Sequence, residues 1–113
     1  MVQNRNKIID LFIGNISNAI IHEILEKAID VDEIISRYNK ESKVSFEVAK
    51  KYREKINPVD KILPSEDIAK IRNKVINNVK NELNIRILKG YKNLNVTLVE
   101  ETVDKFLKEM KIK

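Results

Sequence analysis

The sequence predicts an all-α protein, an irregular array of five to six short helices with one long helix near residues 65–88. Three observations predict it. Isoleucine, valine and leucine recur at spacings of three and four along most of the chain, the period of a helix with one buried face. Glycine and proline number two each, too few to punctuate a β protein with many turns. No linker, internal repeat or low-complexity segment interrupts the pattern, so residues 1–113 read as a single helical domain.

Ile8, Ile9, Phe12 and Ile16 open the helical period, and a first helix covers roughly residues 3–13. Gly14 and Asn15 follow, residue types that often end a helix. Ile16, Ala19, Ile20, Ile24 and Ala28 carry the same period through a second helix over about 16–29. The alternative is one helix running through Gly14, at a cost of about 1 kcal/mol for the glycine. Asp30, Asp32 and Glu33 then form a start resembling a capping box. It opens a third helix over 31–39, with Ile34, Ile35 and Tyr38 inward.

A polar break over residues 39–43 separates that helix from a fourth, capped by Ser45, with Phe46, Val48, Ala49, Tyr52 and Ile56 as its apolar positions. Asn57-Pro58 closes it, because the residue before proline avoids the helical region. Ser65 caps the long helix, and Glu66 and Asp67 lie where the helix dipole favours anions. Ile68, Ile71, Val75, Ile76, Val79 and Leu83 make its buried stripe. The stripe loses phase near Asn84, so the helix ends there or runs on to Gly90. A short hairpin across 85–98 is a further alternative. Thr97 and Glu100 form the capping box of the last helix, with Val99, Val103, Phe106, Leu107 and Met110 inward.

Composition narrows the function classes. There is no cysteine and one histidine, His22, while zinc needs at least three protein ligands. His22 and Glu23 form half of a helical zinc motif, but Glu26 stands where the second histidine belongs. Asp30, Asp32 and Glu33 read as caps before they read as a hard-cation site. No glycine-rich phosphate loop exists, and Ser17 near His22 has no spacing that implies a nucleophile and its base. The expectation is therefore no catalytic residue, no metal, no cofactor, no small-molecule substrate and no enzyme. No uninterrupted apolar run reaches the ~18 residues of a membrane span, and the N-terminus lacks the layout of a signal peptide. A cytoplasmic location is expected.

Charge and apolar breadth point to binding. Residues 1–36 carry three cations against six carboxylates, whereas residues 68–95 carry seven cations against Glu82 alone. Lys70, Lys74, Asn77, Asn81 and Asn84 fall in one line opposite the buried stripe of the long helix. Lysine neutralises phosphate and asparagine pairs with base edges. Lys89, Tyr91 and Lys92 extend the line, and tyrosine stacks on bases. A weaker variant reads 32–56 as a helix-turn-helix bearing Lys50, Lys51, Arg53 and Lys55, although its turn is too long. The rival is protein association. Ile9, Leu11, Phe12, Ile13, Ile16 and Ile20 spread over a wider arc than one buried face needs, which suits a homodimer interface. Arg72 falls inside the long helix's buried stripe, as a stem at the core margin or as a salt bridge to the acidic N-terminal third. The expected function is a non-enzymatic helical interaction protein, homodimeric, binding nucleic acid through 70–92. The alternative is a protein–protein adaptor or small subunit of a complex that uses the apolar N-terminal helices.

Overall fold

The computed structural model describes residues 5–28, 32–56, 63–90, 94 and 96–112. They form four α-helices: α1 (Arg5–Ala28), α2 (Asp32–Ile56), α3 (Ser65–Leu88) and α4 (Val99–Glu109), the last preceded by a 3-10 turn (Val96–Leu98). The fold is all-α, and the count of five to six helices is corrected to four. Two predicted breaks are absent. Gly14 does not end the first helix, because Ile9, Phe12, Ile13, Ile16, Ala19 and Ile20 keep one buried phase across it. The polar window 39–43 is helical as well, and its side chains have partners on α1. Ser42 donates to the Ala19 carbonyl at 2.8 Å, and Asn39 donates to the Glu26 carboxylate at 3.1 Å. A polar stretch facing a neighbouring helix is satisfied without a turn, so the helix-turn-helix variant fails.

The long helix is found where the stripe placed it, with Ile71, Val75, Ile76, Val79 and Leu83 buried. Its N-cap is Pro64, not Ser65. Pro64 holds an extended conformation, and its carbonyl accepts from the Ile68 amide at 3.1 Å. The helix passes Asn84 and stops before Gly90, whose φ of 99° is the left-handed conformation a glycine allows. Residues 85–88 are helical, so the hairpin across 85–98 does not form. Thr97 lies inside the 3-10 turn, and the cap of α4 is Leu98. The capping box at Asp30, the Asn57-Pro58 stop, and Tyr91 and Lys92 lie outside the described residues, as do the side chains of 32–35.

Cross-helix contacts fix the directions. Glu26 meets Asn39, His22 meets Glu41 and Ala19 meets Ser42, so α1 and α2 run antiparallel. Arg5 pairs with Asp67, Asp10 with Lys74 and Ser17 with Asn78, so α1 and α3 run parallel. Arg72 pairs with Asp104 and Lys80 with Glu100, so α3 and α4 are antiparallel. The result is an elongated bundle of 42 × 24 × 24 Å with one core. α1 is its central element. It packs most closely on α2 and also touches α3 and α4. Because α1 is continuous, Arg5–Lys27 is long and apolar enough to cross a membrane by length and composition. That corrects the expectation from interrupted runs, although a buried core helix passes the same test.

Candidate functional site: a polar trough between the parallel helices

The parallel pairing of α1 and α3 leaves a trough of about 630 Å³ between them, open to solvent on one side. Its walls are built by the faces of both helices that turn away from the core. α1 contributes Asp10, Leu11, Gly14, Asn15, Ser17, Asn18, Ile21 and His22, and α3 contributes Asn78, Asn81, Glu82, Ile85 and Arg86. Four carboxamides therefore converge. Asn15 donates to the Leu11 carbonyl of its own helix at 2.8 Å, and Asn78 donates to the Ser17 hydroxyl at 3.4 Å. Gly14 lies in the trough, and a Cβ added there would meet nothing within 4 Å. A glycine inside a helix costs about 1 kcal/mol relative to alanine, and no close approach within the chain requires it here.

His22 closes one end. Its Nε2 lies 3.4 Å from the Glu41 carboxylate, and its ring stacks on Tyr38 with centroids 5.6 Å apart. Nδ1 is buried without a hydrogen-bond partner among the described residues. Burial pulls the His22 pKa below its ordinary value; Glu41 opposes the shift and Arg86 adds to it. A proton on Nδ1 would be a buried donor lacking an acceptor, which is the same penalty seen from the hydrogen-bonding side. Ser17 is buried and its oxygen faces Asn78, not a general base, so the trough pairs no nucleophile with a proton acceptor. Among the described residues no three His, Asp or Glu side chains gather as metal ligands.

The expected binding residues fall into two groups. Asn77 is exposed, Asn81 lines the trough, Lys70 is half-buried and Lys89 is exposed. The cations around them are largely matched by carboxylates of this chain. Lys74 lies 3.6 Å from Asp10, Lys80 lies 3.7 Å from Glu100, and Arg86 lies 3.2 Å from Glu82. Arg72 donates to both oxygens of Asp104, at 2.8 and 3.3 Å, and this contact raises its pKa. Its partner is thus the last helix and not the N-terminal third. The residues expected at an interface are largely buried within this chain. Ile9, Phe12, Ile13, Ile16 and Ile20 are buried and Leu11 is half-buried, because α1 is flanked by all three other helices.

Two features escaped the sequence pattern. Arg53, expected on a solvated basic face, is 1 % exposed. It donates to the carbonyls of Met110 and Lys111 at 2.9 and 3.0 Å, a cation at the negative end of α4. Ile85 and Leu88 near the end of α3 are exposed, Leu88 by 87 %, as is Leu98 in the 3-10 turn, and Ile85 also lines the trough. The phase slip of the stripe near Asn84 was the signal for the exposure on α3. Comparison with known proteins finds no match among family models, curated proteins or solved structures.

Proposed function

We propose that the protein is a non-enzymatic helical interaction module whose partner is a polypeptide. The observation that carries this reading is the in-chain matching of α3's cations. Arg72, Lys74, Lys80 and Arg86, four of the seven cations over residues 68–95, each have a carboxylate at hand, which leaves Lys70 and Lys89 as the cations among the described residues of that stretch to face phosphate. Each such exposed pair contributes about 0–1 kcal/mol to stability, but together they reduce the local field that would steer a polyanion. The apolar end of α3 supports the same choice, since Ile85, Leu88 and Leu98 suit a protein surface better than a phosphate backbone. A homodimer belongs to this reading only through that end, because the apolar residues of α1 are used within the chain.

Site-specific photocrosslinking from a benzophenone side chain at position 88, in the cell that makes the protein, tests the reading. Discrete polypeptide adducts are expected, absent when the probe is moved to exposed position 51 on α2. Adducts to nucleic acid, or none beyond those of the control position, overturn it.

A further inference from the structure

We propose that the trough between α1 and α3 binds an extended, uncharged stretch of a partner polypeptide through that stretch's backbone. This rests on the reading of the protein as a polypeptide-binding module, and it names where and what it holds. The register of the two helices carries the argument. Arg5–Asp67, Ser17–Asn78 and Asp10–Lys74 set an offset of 61 to 64 residues between them. Asn15 therefore stands level with Asn78, and Asn18 level with Asn81. Two opposed pairs of carboxamides result, about 4.5 Å apart along the helix axes. Asn18 and Asn81 make no hydrogen bond among the described residues, so their donors and acceptors are open to a ligand.

The ligand class follows from chemistry. A carboxamide offers a donor and an acceptor together, the complement of a peptide unit. A partner helix has its backbone groups already bonded internally and would leave the carboxamides idle. An extended segment presents free N–H and C=O groups along its length. The trough is open on one side, unlike the enclosed sites that surround small molecules. Asp10 and Glu82 on its walls are matched by Lys74 and Arg86, so the trough has little net charge with which to attract a charged strand. From Asp10 to His22 it runs about 18 Å, the length of roughly five extended residues. Gly14 leaves the α1 backbone bare beside the lower pair of carboxamides, the place where such a segment comes closest.

The test uses a phage-displayed library of random heptapeptides panned on the full chain. Enriched sequences are resynthesised and their affinities measured by fluorescence polarisation. The proposal expects enrichment of uncharged peptides. It also expects at least about tenfold weaker binding to Gly14→Leu and to the double variant Asn18→Leu/Asn81→Leu. A Cβ at Gly14 meets nothing within 4 Å and leucine favours a helix over glycine, so Gly14→Leu should melt no lower than the parent, and lost binding there is not lost folding. N-methylation of alternate peptide bonds in the ligand should abolish binding, which side-chain recognition would not require. The proposal is overturned if no peptide is enriched over the Gly14→Leu control, if enriched peptides bind the variants equally, or if they tolerate N-methylation. Polypeptide adducts from position 88 persisting in that case would show that only this site assignment has failed.

Discussion

Arg53 is surrounded in sequence by lysines that face solvent, yet its side chain is the largest fully buried one described. What separates it from Lys50 and Lys51 is the end of α4, whose last carbonyls need donors that the helix cannot supply. A guanidinium reaches both, and burial lowers its pKa. Arg53→Ala should cost about 3 kcal/mol in urea unfolding, from two unpaired carbonyls and a cavity. The carbonyl pair belongs to a turn with Lys111 at φ 58°, where Ile112 N–H bonds to Leu107 at 2.9 Å and Lys111 N–H to Lys108 at 3.1 Å. Lys111→Gly should therefore raise stability by about 1 kcal/mol, since lysine is strained in that region. His22 gives a pH test. Its folded pKa lies below the ordinary 6.5, so the unfolded chain binds the proton more readily. Its contribution is whole above that value and is lost as pH falls through the folded pKa. The urea midpoint should drop on acidification from neutral toward about pH 5, and His22→Gln should flatten that slope.

At the scale of elements, the buried stripes were legible and the breaks were not. Ile71, Val75, Val79 and Leu83 in α3, and Val99, Val103 and Phe106 in α4, are buried as their spacing requires. Periodicity reports which face is dry, and it did so where one face alone is dry. In α1 the wide apolar arc meets three neighbouring helices of the same chain, so breadth of the stripe alone does not single out a surface for a second chain. At Gly14 the alternative of one continuous helix holds, whereas residues 39–43 were read as a stop because local chemistry was weighed without knowing what lay opposite. Ser42 and Asn39 gain partners only once α1 is in place. The trough was invisible for the same reason, since the register that levels Asn15 with Asn78 is a tertiary fact. Gly14→Ala should stabilise α1 by about 1 kcal/mol, seen as a higher thermal midpoint. Phe12→Ala, at the centre of the same helix, should cost about 3–5 kcal/mol.

For the whole molecule, the uneven charge of the sequence is largely folded against itself. The acidic residues of α1 and α4 lie beside the basic residues of α3: Asp10 by Lys74, Glu100 by Lys80, Asp104 by Arg72. A protein that neutralises many phosphates must lose affinity steeply as rising salt shrinks the entropy gained from each released counterion. The decisive measurement is the affinity of the full chain for fluorescein-labelled duplex DNA and single-stranded RNA across a salt series, with Lys70→Glu/Lys74→Glu alongside. Weak binding at physiological salt, with a shallow slope that the double reversal barely changes, is the expected result. A steep slope and tight binding abolished by the two reversals would contradict the self-matched charge of α3 and the polypeptide partner inferred from it.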